Sequence, residues 1–589
     1  WILIVERRPD HIPSSILSIP SRNHTAERAF FRGWFQDHST RRVILGPIGY
    51  QRYFRDVNTT RPATELATCE GTFVLARWSR DRLIFQQDLY ALFPVIHCTT
   101  PHLFLASDSL FMISKCRQWV GLPCSMNRVV AMSKGWRTFG IASAPLSNQT
   151  IIEDVHMLSP GCHLEIELGR RFGIGRLSVR TSRELSTTPV HHPLRQVFES
   201  DVGGYAEALR TILERMQGVI GQWASMDNIQ VEFGLSGGLD SRVLLGVLLS
   251  APEMLEGVHI RTSTQSHLSA DHAVATRLSE RFGFALNDVE RSRALEDRNP
   301  AKKIHIENPL GLWALANLGL YDSIFLTSDI WNPPSIIAMG GQGAETIKDT
   351  WGGATLPGLI SKGVYPEVRK SVLELMEAGL RGGGIDPTAP DAVKWHHLAF
   401  KSAFHNGRFV TASPLALRPF LQQAIFAVSQ SDDNPHRGRG RAGIDICHDL
   451  LILLDANLAA EPYDSAEKDL TPAQVVSRQQ ALANDAPPSA ALSPYALLGD
   501  VSDIACGPPT AFMAQVKIFD GDLITVRERL AALATTYWDK LGNRDLRRVH
   551  KHTYREAMEM LASDSPLAAA GVFAARLCSL MLVDEDDLA

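Results

Sequence analysis

The sequence predicts a two-part chain of mixed class, α/β combined with α+β. Three observations carry this. Short β-type runs crowd residues 1 to about 180, strand–turn–helix alternation begins near residue 205, and helical periodicity dominates from about residue 365 to the end. Runs rich in β-branched and aromatic residues read as strands, and strands alternating with helices read as a parallel sheet. A length of 589 residues suits two to four domains at about 150 residues each. The patterns divide it into a β-rich part, 1–190, and an α/β part with a helical C-terminal region, 191–589.

Composition removes several classes. The chain is 45% hydrophobic, 21% charged and 8% aromatic, an ordinary globular balance that excludes fibrous or low-complexity chains. A net charge of −5 gives no basic footprint for nucleic acid. No apolar window of ~20 residues is present, so no membrane span is expected. The start, Trp1-Ile-Leu-Ile-Val-Glu-Arg-Arg, lacks the basic lead and small-residue site of a signal peptide and reads as a first strand. The eight cysteines (69, 98, 116, 124, 162, 447, 506, 578) form no CxxC pair, which fits buried thiols in a reducing cytoplasm. Only 13 of the 59 basic residues are lysines, so a lysine in a special place stands out.

In chain order, strands are expected at Gly71-Thr-Phe-Val-Leu-Ala-Arg-Trp, Arg82-Leu-Ile-Phe, Pro94-Val-Ile-His-Cys and His163-Leu-Glu-Ile-Glu-Leu. The polar stretch Arg180 to Pro193, with two prolines, reads as a linker. A helix opens at Tyr205, a strand follows at Ile229-Gln-Val-Glu-Phe-Gly-Leu, and a Gly-rich turn leads into the helix Arg242-Val-Leu-Leu-Gly-Val-Leu-Leu. A second strand, Val258-His-Ile-Arg-Thr, precedes a helix near Asp271 to Phe282. The Pro/Ala/Ser-rich segment Ala486 to Pro494 reads as a loop, and Asp584-Glu-Asp-Asp as a solvated tail.

The turn carries the chemistry. Leu235-Ser236-Gly237-Gly238-Leu239-Asp240-Ser241 leaves an apolar strand and enters a helix. Glycines permit close backbone approach, and the hydroxyls and free N–H groups of a helix start suit phosphate oxygens. An aspartate inside an anion-binding loop needs a cation beside it, so Asp240 is expected to hold Mg²⁺ against a pyrophosphate. No Gly-Lys-Ser/Thr follows, which excludes a Walker A loop.

Ser-Gly-Gly-Leu-Asp-Ser matches the pyrophosphate loop of the ATP-pyrophosphatase superfamily, and the surrounding chain resembles its asparagine synthetase type. Gly71-Thr-Phe with Gln87-Asp88-Leu-Tyr-Ala-Leu-Phe-Pro94 resembles the amidotransferase pattern Gly-x-Phe then Arg-Asp-x-x-Gly-x-x-Pro. Thr150-Ile to Leu158-Ser-Pro160-Gly161 resembles that domain's end. Met339-Gly340-Gly341-Gln342-Gly343-Ala344-Glu345 with Gly352-Gly353 resembles the second loop, Ser-Gly-Glu-Gly-x-Asp-Glu…Gly-Gly. Ser413-Pro414-Leu and Pro419-Phe420-Leu421 resemble Pro-Phe-Leu-Asp. The resemblance implies an N-terminal class II glutamine-amidotransferase-like (Ntn-type) β-sandwich and a C-terminal ATP-pyrophosphatase (PP-loop) α/β domain. It also implies ATP and Mg²⁺ as cofactors.

Departures from the pattern narrow the reading. Glutamine-hydrolysing relatives begin with a cysteine whose thiol attacks the amide, whereas this chain begins at Trp1, and Arg-Asp-x-x-Gly has become Gln-Asp-x-x-Ala. The expectation is a first domain without glutaminase activity. That combination resembles β-lactam synthetases and, more closely, the lasso-peptide macrolactam synthetases, which adenylate a side-chain carboxylate and let the peptide's N-terminal amine close a ring. Gln342 replaces a Glu, Tyr or His; its amide orients a nucleophile but is a poor base. Glu345 falls where the family's metal-binding aspartate lies and is expected to share Mg²⁺ with Asp240.

Lys468, in Glu461-Pro-Tyr-Asp464-Ser-Ala-Glu467-Lys468, resembles the family's catalytic lysine, an ammonium suited to a developing oxyanion and leaving phosphate. It is the only lysine between residues 402 and 516. Gly341 and Gly343 join the pyrophosphate site by the same resemblance. Thr262, Ser263, His267, Asp271 and His272 fall where adenine and ribose are expected, at the carboxyl end of the sheet. Arg242 is expected to neutralise phosphate or face solvent, and His396-His397 to lie in a loop or at the surface.

The implied function is a cytoplasmic, AMP-forming carbon–nitrogen ligase closing a macrolactam in a leaderless precursor peptide. A leader peptidase and a leader-binding protein of the same pathway are possible partners, with no nucleic acid and no membrane. The alternatives are an ammonia-using asparagine synthetase-like or β-lactam synthetase-like enzyme on a small acid, and a non-catalytic ATP-binding protein.

Overall fold

The computed structural model describes residues 2–6, 28–56, 69–78, 82–101, 103–137, 140–167, 178–180, 186–191, 194–198, 203–265, 268–288, 302–332, 334–347, 354–407, 410, 415–437, 442–482, 494–504, 514–520 and 525–588. Trp1, His192, His267, Gly352, Gly353, Ser413, Pro414 and Cys506 lie outside them, as does the segment 483–493. The architecture is mixed α/β, with two predominantly antiparallel sheets, a parallel sheet and many helices.

The apolar first residues form β1 (Ile2–Glu6), which pairs antiparallel with β7 (Leu103–Ser107) and parallel with β10 (Ser178–Arg180). β6 (Ile96–Thr99) and β8 (Val155–Met157) complete a five-stranded sheet. The second sheet runs β11 (Ser186–His191), β9 (Cys162–Glu167), β5 (Arg82–Gln87), β4 (Glu70–Trp78), β2 (Arg28–Asp37), β3 (Arg42–Leu45) and β18 (Ala496–Leu498). The two sheets share one core, in which Phe85, Leu164 and Ile166 of one meet Phe104 and Ala106 of the other. Phe85 and Phe104 lie 5.7 Å apart between ring centroids.

Two expectations change here, the linker and the acidic end; the expected loop at 486–494 lies, but for Pro494, outside the described residues. The polar stretch read as a linker contains β11, paired along its length with β9; an edge strand accepts Pro189 because one side of its ladder has no neighbour to serve. The chain just beyond the expected loop at 486–494 returns as β18, parallel to β3, with Ala496 opposite Arg42. The acidic end also docks: Asp584 and Asp587 carboxylates accept the backbone N–H groups of Cys124 and Met126 at 2.7 and 2.6 Å. Periodicity sees neither a three-residue strand nor a carboxylate that finds a distant N–H.

The parallel sheet forms as predicted, in the order β13 (Val258–Arg261), β12 (Gln230–Gly234), β16 (Ile336–Met339), β17 (Ala416–Leu417). The helix Tyr205–Ala224 presents Leu209, Ile212, Leu213, Met216, Ile220 and Trp223 at helical spacing, all buried. The helix Leu239–Leu249 is buried around most of its circumference, as Val243 to Leu248 require. A short strand pair, β14 (Lys302–His305) with β15 (Asp329–Asn332), lies apart from these sheets. One hydrophobic cluster joins Trp34, Val43 and Leu45 to the parallel-sheet residues, and another joins residues 89–157 to the C-terminal helices. Among the described residues no helix is long and apolar enough to cross a membrane.

A buried charge network ties distant segments together. Asp322 accepts from Lys134 Nζ at 2.9 Å and from Arg576 Nε at 3.1 Å, and none of the three is more than 4% exposed. Removing the anion leaves two cations without their partner in the core, which costs about 3–5 kcal/mol. Asp322→Ala is therefore expected to lower the chemical-denaturation free energy by that order. Arg128→Ala, which breaks an exposed pair with Asp545, should cost under about 1 kcal/mol. Equal effects in the two variants would contradict this ranking.

Candidate functional site

Three loops meet at the carboxyl ends of β12, β16 and the neighbouring strands. The first, 235–241, links β12 to the helix Leu239–Leu249. Its backbone is held by its own side chains: Ser236 N–H donates to Ser241 Oγ at 3.1 Å, and Gly238 N–H to Ser236 Oγ at 3.2 Å. Leu235 and Leu239 are 2% and 3% exposed and anchor the loop in the core. The Leu235 N–H is spent on Arg261 O at 2.7 Å, so Leu235 contributes position and no donor to a phosphate.

Gly237 is where the loops crowd. Its N–H donates to Asp271 Oδ1 at 2.6 Å, and its carbonyl accepts from Asp464 N–H at 3.3 Å. A Cβ there would lie 2.8 Å from the Asp464 Cβ and 3.0 Å from Asp271 Oδ1, so only glycine fits. The Asp271 carboxylate shows that this N–H takes an anion, and a helix N-terminus adds further donors without intrahelical acceptors. Asp271 was expected at adenine and ribose; its carboxylate lies on the loop 235–241, at Gly237.

The second loop lies over Asp240. A Cβ on Gly341 would fall 2.6 Å from the Asp240 Cβ. Gly343, at φ +101°, donates its N–H to Glu345 Oε2 at 2.8 Å and abuts Leu421. It therefore shapes the turn and, in this arrangement, offers no donor to pyrophosphate. Gln342 is exposed, its side chain folded back over Gly340.

Glu345 Oε1 accepts from Asn406 Nδ2 at 3.0 Å. Burial works against its charge, but the Asn406 amide, a backbone N–H and nearby His405 and His397 hold its carboxyl below the usual range. Both oxygens are thus occupied, yet a carboxylate has lone pairs left for a cation.

Around Glu345 the structure assembles residues the sequence did not single out. His397–Ser402 is a π-helical turn, a local form frequent at functional sites. Asn406 also donates to Ser402 Oγ, and His405 Nδ1 meets Tyr321 OH at 3.0 Å. His396 and His397, expected in a loop or at the surface, are 0% and 5% exposed. Burial pushes both imidazoles down to about 4, so they are neutral at pH 7. The signal available was a run of polar residues inside the apolar pattern of Ala392 to Phe404.

The third loop carries Lys468. Its ammonium pairs with Asp464 at 2.9 and 3.0 Å, and its side chain is 27% exposed. Such a pair is worth about 0–1 kcal/mol, so separating the ammonium from Asp464 costs little. The loop itself is fixed. His448 Nε2 donates to Lys468 O at 3.0 Å, burial and Arg478 having pushed its imidazole down to about 4. Asp469 Oδ1 accepts from Tyr463 N–H at 2.8 Å.

Arg242 is neither at a phosphate nor in solvent. It is 0% exposed, donates to Glu461 O and to Pro462 O, and stacks 3.6 Å from the Tyr463 ring centroid. The helix that follows the first loop thus clamps the third. Arg242→Met leaves the buried Glu461 carbonyl without its Arg242 donor, while Pro462 O keeps Arg277 Nη2 at 2.7 Å, a loss of about 1–3 kcal/mol. The expected result is faster hydrogen exchange at residues 461–469, with residues 369–382 unchanged. Unaltered exchange at 461–469 would remove the clamp.

Thr262 ends β13 beside the first loop. Its N–H donates to Asn287 Oδ1 at 2.9 Å, while its Oγ1 is buried with no hydrogen-bond partner among the described residues. Ser263 Oγ accepts from Gln265 N–H, and His272 lies on the following helix, Ser269–Phe282. Among the described residues no group of three His, Cys, Asp or Glu forms a metal cage. Mg²⁺ does not require one, since it usually takes one or two carboxylates plus substrate phosphates.

No family model matches the chain, and no curated protein matches it. A solved structure described as the allosteric regulatory enzyme of purine biosynthesis is similar at 8% identity and a TM-score of 0.15. The similarity covers 59% of this chain and 60% of that one. A likeness of that size decides neither fold family nor function.

Proposed function

We propose that the chain is an ATP- and Mg²⁺-dependent ligase that activates a carboxylate and joins it to an amine. The observation that carries this is the meeting of three loops: Asp464 packs against Gly237, whose N–H takes the Asp271 carboxylate, and Gly341 packs against Asp240. The residues fit the absent groups. The Asp271 carboxylate occupies an N–H suited to phosphate, and the buried Thr262 hydroxyl has no hydrogen-bond partner among the described residues.

In this reading the loop 236–241 cradles the pyrophosphate portion of ATP. Asp240 and Glu345 would hold Mg²⁺, which supplies charge neutralisation at the phosphates. Lys468 leaves Asp464 to stabilise the developing oxyanion at the activated carboxylate. Gln342, exposed at the lip, orients the incoming amine by hydrogen bonding and takes no proton.

We read the first 190 residues as a class II amidotransferase-like, Ntn-type domain without glutaminase activity. Supporting this, Gln87 Nε2 spends itself on Leu158 O and Ser159 O, and Asp88 accepts the N–H groups of Tyr90, Leu92 and Phe93. Ala91 stands at φ +55°, the conformation that favours the glycine of the family pattern. Both side chains brace the turn.

The favoured substrate is a peptide whose own N-terminal amine closes a macrolactam on an Asp or Glu side chain. Its test is AMP formation from Mg·ATP with such a peptide, run beside aspartate plus ammonia. The reading expects AMP and a product one water lighter with the peptide. AMP with aspartate and ammonia alone would favour the small-acid enzyme, and ATP binding without turnover on any carboxylate the non-catalytic one.

A further inference from the structure

Of the side chains Arg242, His448 and Asp469 that anchor the lysine loop, one grips the lysine residue itself. Arg242 holds the Glu461 and Pro462 carbonyls, and Asp469 holds the Tyr463 N–H. His448, from the helix Ala442–Leu454, holds the carbonyl of Lys468 at 3.0 Å.

The partner sets the direction of that bond. A carbonyl oxygen only accepts, so the imidazole proton sits on Nε2. Nδ1 is buried with no hydrogen-bond partner among the described residues. The ring is 0% exposed and meets the Tyr463 ring edge-on, with 5.6 Å between centroids. Tyr463 in turn carries the Arg242 guanidinium 3.6 Å from its own centroid. Arg242, Tyr463 and His448 thus form a row of packed side chains. It runs from the helix of the first loop to the backbone of Lys468. Kept neutral at pH 7 by burial and by Arg478, His448 adds no cation beside the ammonium.

The helix beneath His448 is held by charge. Arg478, in the helix Pro472–Leu482 that follows the lysine loop, binds Asp445 and Asp449 on either side of His448. Asp449 also accepts from Tyr205 OH at 2.8 Å and from His436 Nε2 at 2.7 Å. A buried carboxylate satisfied by three donors resists displacement. His448 therefore presents its N–H from a fixed base. Such precision matters at a reacting group, where a shift of about 1 Å is enough to lose about 10²-fold in rate.

We infer that His448 is the positioning residue of Lys468, setting where the ammonium stands relative to the loop 236–241. The inference rests on the ligase reading for the lysine's task, but the anchoring is measurable without turnover.

Competitive acetylation of the full chain with trace acetic anhydride, read by mass spectrometry at Lys468 against the exposed Lys551, reports on the ammonium. His448→Phe keeps a ring against Tyr463 and removes the N–H. His448→Gln keeps an amide N–H within reach of the same carbonyl, and His448→Asn carries that amide one methylene too short. Labelling of Lys468 should rise about threefold or more in His448→Phe and His448→Asn, the loss of one hydrogen bond, and stay near wild type in His448→Gln. AMP formation should follow the same order. Its kcat should fall about tenfold or more in the first two, with KM for Mg·ATP within about threefold, and recover in His448→Gln. Adding His448→Phe to Lys468→Met should lose no further rate, because the anchor acts through the lysine. Thermal midpoints accompany every variant, and the His448→Gln and His448→Asn pair decides the case should His448→Phe not fold. An equal rate loss with and without the lysine would overturn the assignment. So would unchanged labelling in His448→Phe and His448→Asn, or a His448→Gln as impaired as His448→Asn at an unchanged midpoint. A wild type that forms no AMP would overturn the ligase reading instead, and the labelling would then decide the role of His448 by itself.

Discussion

Asp240→Asn is expected to reduce carboxylate-dependent cleavage of ATP to AMP and pyrophosphate by about 10³-fold. The side chain sits in the first turn of the helix Leu239–Leu249, under the Gly341 backbone. The substitution keeps shape and removes the charge that would hold Mg²⁺ against the phosphates. Its structural cost is small by comparison: losing a carboxylate at a helix N-terminus is worth about 0.3–1 kcal/mol, whereas 10³ in rate is about 4 kcal/mol. The measurement is initial AMP release at saturating Mg·ATP, with the thermal midpoint of the same preparation. Full activity in the variant would remove Asp240 from metal binding.

Lys468→Met is expected to lower turnover by about 10²–10³-fold while leaving Mg·ATP affinity within about threefold. The reasoning is geometric. The lysine loop is held by Arg242, His448 and Asp469, and none of these anchors uses the Lys468 ammonium. The Lys468–Asp464 pair is partly exposed and weak, so the fold loses little. Lys468→Arg should recover only part of the rate, because a planar fork replaces a compact charge. A turnover unchanged in Lys468→Met, at an unchanged thermal midpoint, would return the lysine to a surface role.

Local pattern made part of this legible and left part hidden. The strand–turn–helix from Gln230 through Leu249 was readable because Val231 and Phe233 face one way and two glycines mark the turn. That the strands at β12 and β13 belong to a parallel sheet followed from the same alternation; the place of β16 on the other side of β12 did not. What stayed hidden depends on contacts far apart in sequence. β18 pairs with β3 across 454 residues of chain, Ala496 opposite Arg42, and Arg242 clamps a loop 219 residues away. Asp271 reaches Gly237 only because the helix Ser269–Phe282 starts beside the loop. Lys468 stood out because its loop resembles the family's lysine loop and it is the only lysine between residues 402 and 516. Its resting partner Asp464 and the Glu345–Asn406–Ser402 network did not, since each depends on side-chain direction.

Gly343 carries a similar lesson. Its place in the second loop suggested a phosphate contact, but its N–H turns inward to Glu345. A glycine at positive φ is demanded by the turn itself.

The central claim is that the loop 236–241 handles the pyrophosphate end of ATP while a carboxylate is activated. The most direct measurement is product analysis with ATP labelled at the α-phosphate, in the presence of Mg²⁺ and a peptide carrying a free amine and an acidic side chain. Label appearing in AMP, stoichiometric with pyrophosphate and amide product and absent in Asp240→Asn, is the predicted result. Label appearing in ADP, or AMP formed equally without any carboxylate, would contradict it.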